Sequence, residues 1–352
     1  MDYLSFYRGK HIFVTGHTGF KGAWLCRVLS RLGAHVTGYA LPPPTTPSLF
    51  ELLKCGEKMD SVLGDICDFP HLYAAFCAAR PEIVFHLAAQ PLVRRGYQEP
   101  VRTYATNVMG TVNLLECVRQ TDTVRSVVNV TTDKVYLNRE WAWGYRENEP
   151  LCGFDPYSNS KSCAELVTYS YKNSFFEKQD VAISTARAGN VIGGGDFAPD
   201  RILPDCVRAA MDGCTLQLRN PHAMRPYQHV LEPIFAYLLI AAKSFQDRQY
   251  ADSYNVGPDE CDCITNEALV CLFASAWGEG FRWQTGGENG PHEATFLKLD
   301  SSKIKAGLSW KPHWNIVEAV RRTVEWGLTF RNQGDLEAIT DHQIEDYMKT
   351  VR

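Results

Sequence analysis

The sequence predicts an α/β fold: a doubly wound parallel sheet of Rossmann type with a smaller C-terminal substrate-binding lobe. Three observations predict it. Short β-branched runs alternate with longer amphipathic stretches across the first half of the chain, the rhythm of βαβ units. Gly16-His17-Thr18-Gly19-Phe20-Lys21-Gly22 follows the first run directly and opens the first helix. Tyr157 and Lys161 stand one helical turn apart at the start of a later helix, so phenol and ammonium project from one face and the cation is expected to stabilise a phenolate base.

The strands expected from the short runs are 12–15, 35–39, 61–63, 83–87, 126–131 and 182–186. Helices over 19–32, 70–79, 101–119 and 158–176 fit between them. After residue 188 the alternation stops at Gly193-Gly194-Gly195-Asp196, and shorter elements follow. Residues 1–188 are therefore read as the dinucleotide-binding domain and 189–352 mainly as the substrate lobe. Segments 189–225 and 251–312 form the body of that lobe, while the apolar helix 232–244, within 226–250, packs back on the sheet. Helices 315–331 and 336–349 close the chain, and Pro42-Pro43-Pro44 marks a surface loop.

The 352 residues are 45% hydrophobic and 22% charged, ordinary for a soluble globular protein. A net charge of −4 offers no basic excess for nucleic acid. Residues 1–10 contain no apolar run fit for a signal peptide, and no stretch reaches ~18 uninterrupted apolar residues. A cytoplasmic protein is expected, without membrane contact. The twelve cysteines are scattered, none as Cys-x-x-Cys, and Cys261-x-Cys263 lacks a neighbouring His or Cys cluster. Reduced thiols and no metal are expected.

In the glycine loop, Gly16 allows a tight turn, Gly19 lets the backbone approach a pyrophosphate, and Gly22 permits close helix–strand contact. The helix N-terminus adds free N–H groups and a positive dipole end. His17, Phe20, Asp65, Ile66, Ala88, Tyr157 and Lys161 complete the expected cofactor contacts. Asp65 either accepts the adenine amino group or caps a turn. Gly38-Tyr39-Ala40-Leu41 lacks the acidic residue that normally binds the adenosine ribose, and no Arg replaces it, although His17 and Lys21 lie close in sequence. NAD is expected over NADP.

Several further motifs accompany these two. They are His86-Leu87-Ala88-Ala89-Gln90, Thr131-Thr132-Asp133-Lys134-Val135-Tyr136, Arg187-Ala188-Gly189-Asn190 running into Gly193-Gly194-Gly195-Asp196, and Arg225-Pro226-Tyr227-Gln228-His229. Together with the glycine loop and Tyr157-Ser158-Asn159-Ser160-Lys161, they make the chain resemble the extended short-chain dehydrogenase/reductase superfamily. Within it the chain resembles the CDP-glucose branch of the nucleotide-sugar 4,6-dehydratases, from His11 to about Trp326. The glycine loop and Tyr-x-x-x-Lys identify only the superfamily; Thr132-Asp133-Lys134 points to the branch.

The resemblance implies a lyase of deoxysugar biosynthesis acting on a nucleotide sugar, CDP-glucose. Tyr157, helped by Thr132, takes the 4-hydroxyl proton while hydride leaves C4. Water is then lost across C5–C6 with Asp133 as general acid, and the hydride returns to C6. Related dehydratases carry a carboxylate where this chain has Lys134. Lys134 either becomes a base through a lowered pKa or stays charged and stabilises the enolate. Asn190, Arg201 and Arg225 are expected on the diphosphate and His292 at the sugar. Asp133 has a plainer reading as a turn cap, Thr132 as a strand-end group, Lys134 as a surface charge, and Arg201 and His292 as surface or structural residues. Asn107 either bridges a water to Lys161 or sits in a packed helix. A homodimer through a four-helix contact of 101–119 and 158–176 is also expected. Competing readings are a nucleotide-sugar 4-epimerase, which needs no acid beside Thr132, and a non-catalytic cofactor sensor, which has no need of Tyr157 and Lys161.

Overall fold

Seven parallel strands form the centre of the molecule: β1 (His11–Thr15), β2 (His35–Ala40), β3 (Asp60–Leu63), β4 (Ile83–His86), β5 (Ser126–Val130), β6 (Ala182–Ala188) and β7 (Ser253–Val256). They lie in the order β3-β2-β1-β4-β5-β6-β7, and every neighbouring pair is parallel. This computed structural model describes residues 3–286 and 296–351. The order reverses between β1 and β4, the switch point at which open sheets bind ligands beyond their strands' carboxyl ends.

Every residue of β4, β5 and β6 is buried, so these strands show no alternation of buried and exposed positions. Their side chains still divide between two faces. Ile12, Val14, Phe85 and Val128 meet helices α1 (Phe20–Arg31) and Leu231–Gln246 on one side. Phe13, Val84, Val127 and Ile183 meet Phe69–Ala79 and Gly110–Arg119 on the other. A separate core, including Leu203, Leu269, Phe273, Trp277 and Val320, lies in the C-terminal part.

Six strands are expected from the sequence; the seventh, β7, comes from the stretch read as part of the smaller lobe. Its four residues include a buried Asn255, which hides the apolar signal. The Asn255 amide donates to the Tyr145 and Asp300 carbonyl oxygens, and its oxygen accepts from the Tyr136 hydroxyl. Pairing with β7 extends β6 to Ala188, two residues past the expected end. The helix read over 101–119 contains a π-helical turn, Ala105–Met109, between Pro100–Tyr104 and Gly110–Arg119. Among the described residues, no helix is long and apolar enough to cross a membrane.

Candidate active site

After β1 the chain turns through Gly16 at a φ of +77°, and a Cβ there would lie 2.7 Å from the Ala88 amide nitrogen. Gly22 is tighter still: its Cβ would come within 2.1 Å of the Gly16 carbonyl oxygen. The loop is thus pressed between the end of β4 and the first turn of α1. No side chain caps α1 at Gly19, so its first-turn N–H groups remain for an anion. Gly16, Gly19, Phe20, Gly22, Asp65, Ile66 and Ala88 all line one cavity of about 1820 Å³. A single ligand usually needs roughly 300–1,000 Å³, so this cleft has room for two. The crowded glycine cradle and the uncapped helix end fit a dinucleotide's pyrophosphate.

Thr132, Asp133, Lys134, Tyr157 and Lys161 line the same cavity. Thr132 starts a one-turn 3₁₀ helix, Asp133–Val135, just past the carboxyl end of β5. Its hydroxyl donates to Asp133 Oδ1 (3.0 Å), and Lys134 Nζ donates to the same oxygen at 2.9 Å. Asp133 Oδ2 is buried and has no hydrogen-bond partner among the described residues. Tyr157 lies in the first turn of α2 (Pro156–Tyr171), whose start is capped by Asp155 accepting from the Ser158 amide (3.0 Å). One turn on, buried Lys161 donates to the Val130 carbonyl oxygen at 3.1 Å.

The electrostatics correct one expectation. Burial pushes the Tyr157 phenol up to about 12, opposed by a hydrogen bond with Thr132 and aided by the charge of Asp133. Burial lowers Lys161 to about 8, with Glu165 acting the other way. Lys161 is turned onto the backbone of β5, so the phenol rests neutral and not as a lysine-stabilised phenolate.

Other expected residues are placed less uniformly. The His17 side chain does not line the cavity: it is fully buried, 2.7 Å from Ser61 Oγ, and faces Gly38. Burial drops its pKa to about 4, so a neutral imidazole packs beneath the loop. Asp65 lines the cavity and also accepts from the Cys67 amide, as a turn cap does. Asn190 accepts from Lys134 Nζ at 3.1 Å, which brings it into the Asp133 cluster. Arg225 is buried along the cavity wall. Arg201, also on the wall, pairs with Asp196 at 3.1 Å. Asn107 joins the Gln90 backbone and Ser160 Oγ, tying the end of β4 to α2. His292 lies outside the described residues.

Lys21 is a cavity residue that sequence reasoning weighed only for a second phosphate. Its surface is half-covered, but its ammonium reaches inward to the Tyr237 hydroxyl at 3.3 Å. Burial first, then the charges of Arg201 and Lys161, lower it to about 7. Its one sequence signal is a cation in the first turn of a helix otherwise buried along most of its length.

A family model described as GDP-mannose 4,6 dehydratase matches residues 13–323. A CDP-glucose 4,6-dehydratase of Salmonella typhimurium is 49% identical over 99% of this chain and 98% of that protein. A dTDP-glucose 4,6-dehydratase of Streptomyces antibioticus is 27% identical, covering 90% of this chain and 92% of its own. Among solved structures, UDP-glucose 4-epimerase from Stenotrophomonas maltophila superposes with a TM-score of 0.81 at 21% identity, over 92% of this chain and all of that one (100%). The dTDP-glucose 4,6-dehydratase of Bacillus anthracis gives 0.74 at 22% identity, over 92% and 98%. At such identities the structural likeness speaks for the fold alone, whereas the family match spans most of the chain. The chain therefore belongs to the GDP-mannose 4,6-dehydratase family, a family of nucleotide-sugar 4,6-dehydratases.

Proposed function

We propose that this protein is an NAD-dependent CDP-glucose 4,6-dehydratase, converting CDP-glucose to CDP-4-keto-6-deoxyglucose and water. One observation carries the reading: Asp133, with a buried oxygen unpartnered among the described residues, shares its cavity with Tyr157. An acid so placed serves elimination and has no task in a 4-epimerase. The relative at 49% identity bears the same activity in its name, which supports the choice of CDP-glucose.

NAD would lie along Gly16, Gly19, Phe20, Gly22, Asp65, Ile66 and Ala88, with Tyr157 and Lys161 at its reactive end. Bound there, it would supply the reversible hydride acceptor that oxidation at C4 and reduction at C6 require. Tyr157 rests as a neutral phenol; once its own proton has passed to solvent, the phenolate accepts the 4-hydroxyl proton. Elimination falls to the hydrogen-bonded pair Asp133 and Lys134. Asp133 protonates the departing hydroxyl at C6. Lys134, donating to Asp133 and Asn190, stabilises the enolate as the C5 proton passes to water, and C5 regains a proton from water when hydride adds at C6. Arg225 and Arg201 suit the diphosphate, Arg225 through a bidentate fork.

The protein works in the cytoplasm as a homodimer. Val101, Met109, Leu166 and Tyr169 are exposed apolar side chains on the two helical segments expected at a four-helix contact. Incubating purified protein with NAD and CDP-glucose, without another electron acceptor, tests the function. A product lighter by one water, with no net cofactor reduction, is expected. A sugar epimer of unchanged mass would point to an epimerase. No turnover across a panel of nucleotide-glucose substrates would favour a non-catalytic protein.

A further inference from the structure

A buried ion pair outside the proposed chemistry holds both ends of the segment that performs it. Glu165 lies one helical turn beyond Lys161 on α2, and Arg187 lies on β6; their side chains are 2% and 3% exposed. Glu165 Oε1 accepts from Thr131 Oγ1 (2.5 Å) and Arg187 Nε (3.0 Å). Oε2 accepts from Thr185 Oγ1 (2.7 Å) and Arg187 Nη2 (2.9 Å). Arg187 Nη1 then donates to the Tyr136 hydroxyl and to the Glu147 carbonyl oxygen, each at 2.9 Å. The Tyr136 hydroxyl passes the chain on to Asn255 Oδ1 of β7 at 2.6 Å. Thr131 immediately precedes Thr132-Asp133-Lys134, and Tyr136 follows it by two residues.

We infer that the Glu165–Arg187 pair is a positioning device for elimination, anchoring residues 131 and 136 so that Thr132 and Asp133 face Tyr157 across the cavity. The inference rests on the dehydratase reading for the chemistry it positions. Fold stability alone is a poor reason for such a pair. Taking two charges out of water costs about as much as their attraction returns, and apolar replacements of similar volume are often neutral or stabilising. What an apolar pair lacks is direction: neither Leu nor Met can hold Thr131 and Tyr136 by hydrogen bonds.

The test compares the parent with Glu165→Leu/Arg187→Met, which removes both charges together, and with Tyr136→Phe, which removes one anchor. Melting temperature, NAD affinity, reduced-cofactor absorbance and dehydrated product are followed with CDP-glucose. The paired variant is expected to bind NAD as the parent does and still oxidise C4. Reduced cofactor should accumulate while dehydration slows about 100-fold, the scale of an ångström-sized misplacement. Tyr136→Phe should shift the same ratio by a smaller factor. A folded paired variant with the parent's turnover and no accumulated reduced cofactor overturns the inference, as does an equal loss of oxidation and elimination. If the paired variant does not fold, Tyr136→Phe decides, and a parent-like ratio there overturns it. Should the parent itself release no dehydrated sugar, the dehydratase reading fails, a result distinct from any variant's.

Discussion

Asp133→Asn exchanges a proton donor for an amide of nearly the same shape. Asp133 Oδ1 accepts from Thr132 and Lys134, and an amide carbonyl in that position keeps both bonds. The amide nitrogen then replaces Oδ2, the buried atom without a partner. Lys134, 29% exposed, keeps an oxygen acceptor, so the fold is expected to persist. The chemical cost is large. Positioned acid–base groups contribute about 10²–10⁴-fold, or about 3–5 kcal/mol of barrier, and an amide transfers no proton to a leaving hydroxide. Oxidation at C4 relies on Tyr157 and survives. Mixing the variant with NAD and CDP-glucose should therefore give reduced cofactor approaching one per site, with dehydrated product formed about 10²–10⁴-fold more slowly than by the parent. Parent-rate dehydration without that accumulation would remove Asp133 from the acid's role.

Gly22→Ala should weaken NAD binding strongly and destabilise the fold by about 1–3 kcal/mol, because its Cβ meets loop backbone that cannot swing aside; calorimetric titration with an unchanged Kd would refute the tight cradle. Burial raises Glu232 to about 7, although the Tyr347 hydroxyl and the His313 and Trp314 amides donate to it. Its folded state keeps a proton that the unfolded chain releases near 4.5, so stability falls as pH climbs from about 4.5 to 7, by up to about 3 kcal/mol. Urea titrations across that window should show the slope flattened in Glu232→Gln, and an unaltered slope would exclude Glu232 as its source. Tyr169, 69% exposed, should tolerate Tyr169→Asp within one chain while the variant runs as a monomer in light scattering; a dimer of parental strength would place the contact elsewhere.

Local chemistry explains which elements were legible. The first strand, glycine loop and helix can be read directly because Gly16 and Gly22 answer to contacts within a few residues or across one neighbouring strand. Tyr157 and Lys161 share a helix face by periodicity, yet which way Lys161 turns depends on where β5 ends, so the neutral resting phenol was not foreseeable. His17 sits in a cofactor motif, but its ring packs beneath the loop toward Ser61 and Gly38, residues distant in sequence. Lys21 reads as an ordinary first-turn cation until Tyr237, from the helix Leu231–Gln246, comes to lie beside it. Strand β7 escaped because half of its short run is polar and Asn255 finds its partners only in the folded chain.

The sequence by itself determined the βαβ order, the glycine loop between the first strand and helix, and the residue types that meet in the cavity. Those depend on spacing along one strand, one turn or one helix. Only the tertiary structure decided that Asp133 keeps a bare buried oxygen, that Lys134 leans on both Asp133 and Asn190, and that Glu165 and Arg187 brace the segment from beneath. Hydrogen-bond partners in a buried site come from strands and helices far apart in the chain, and their distances exist only once the sheet has closed around them.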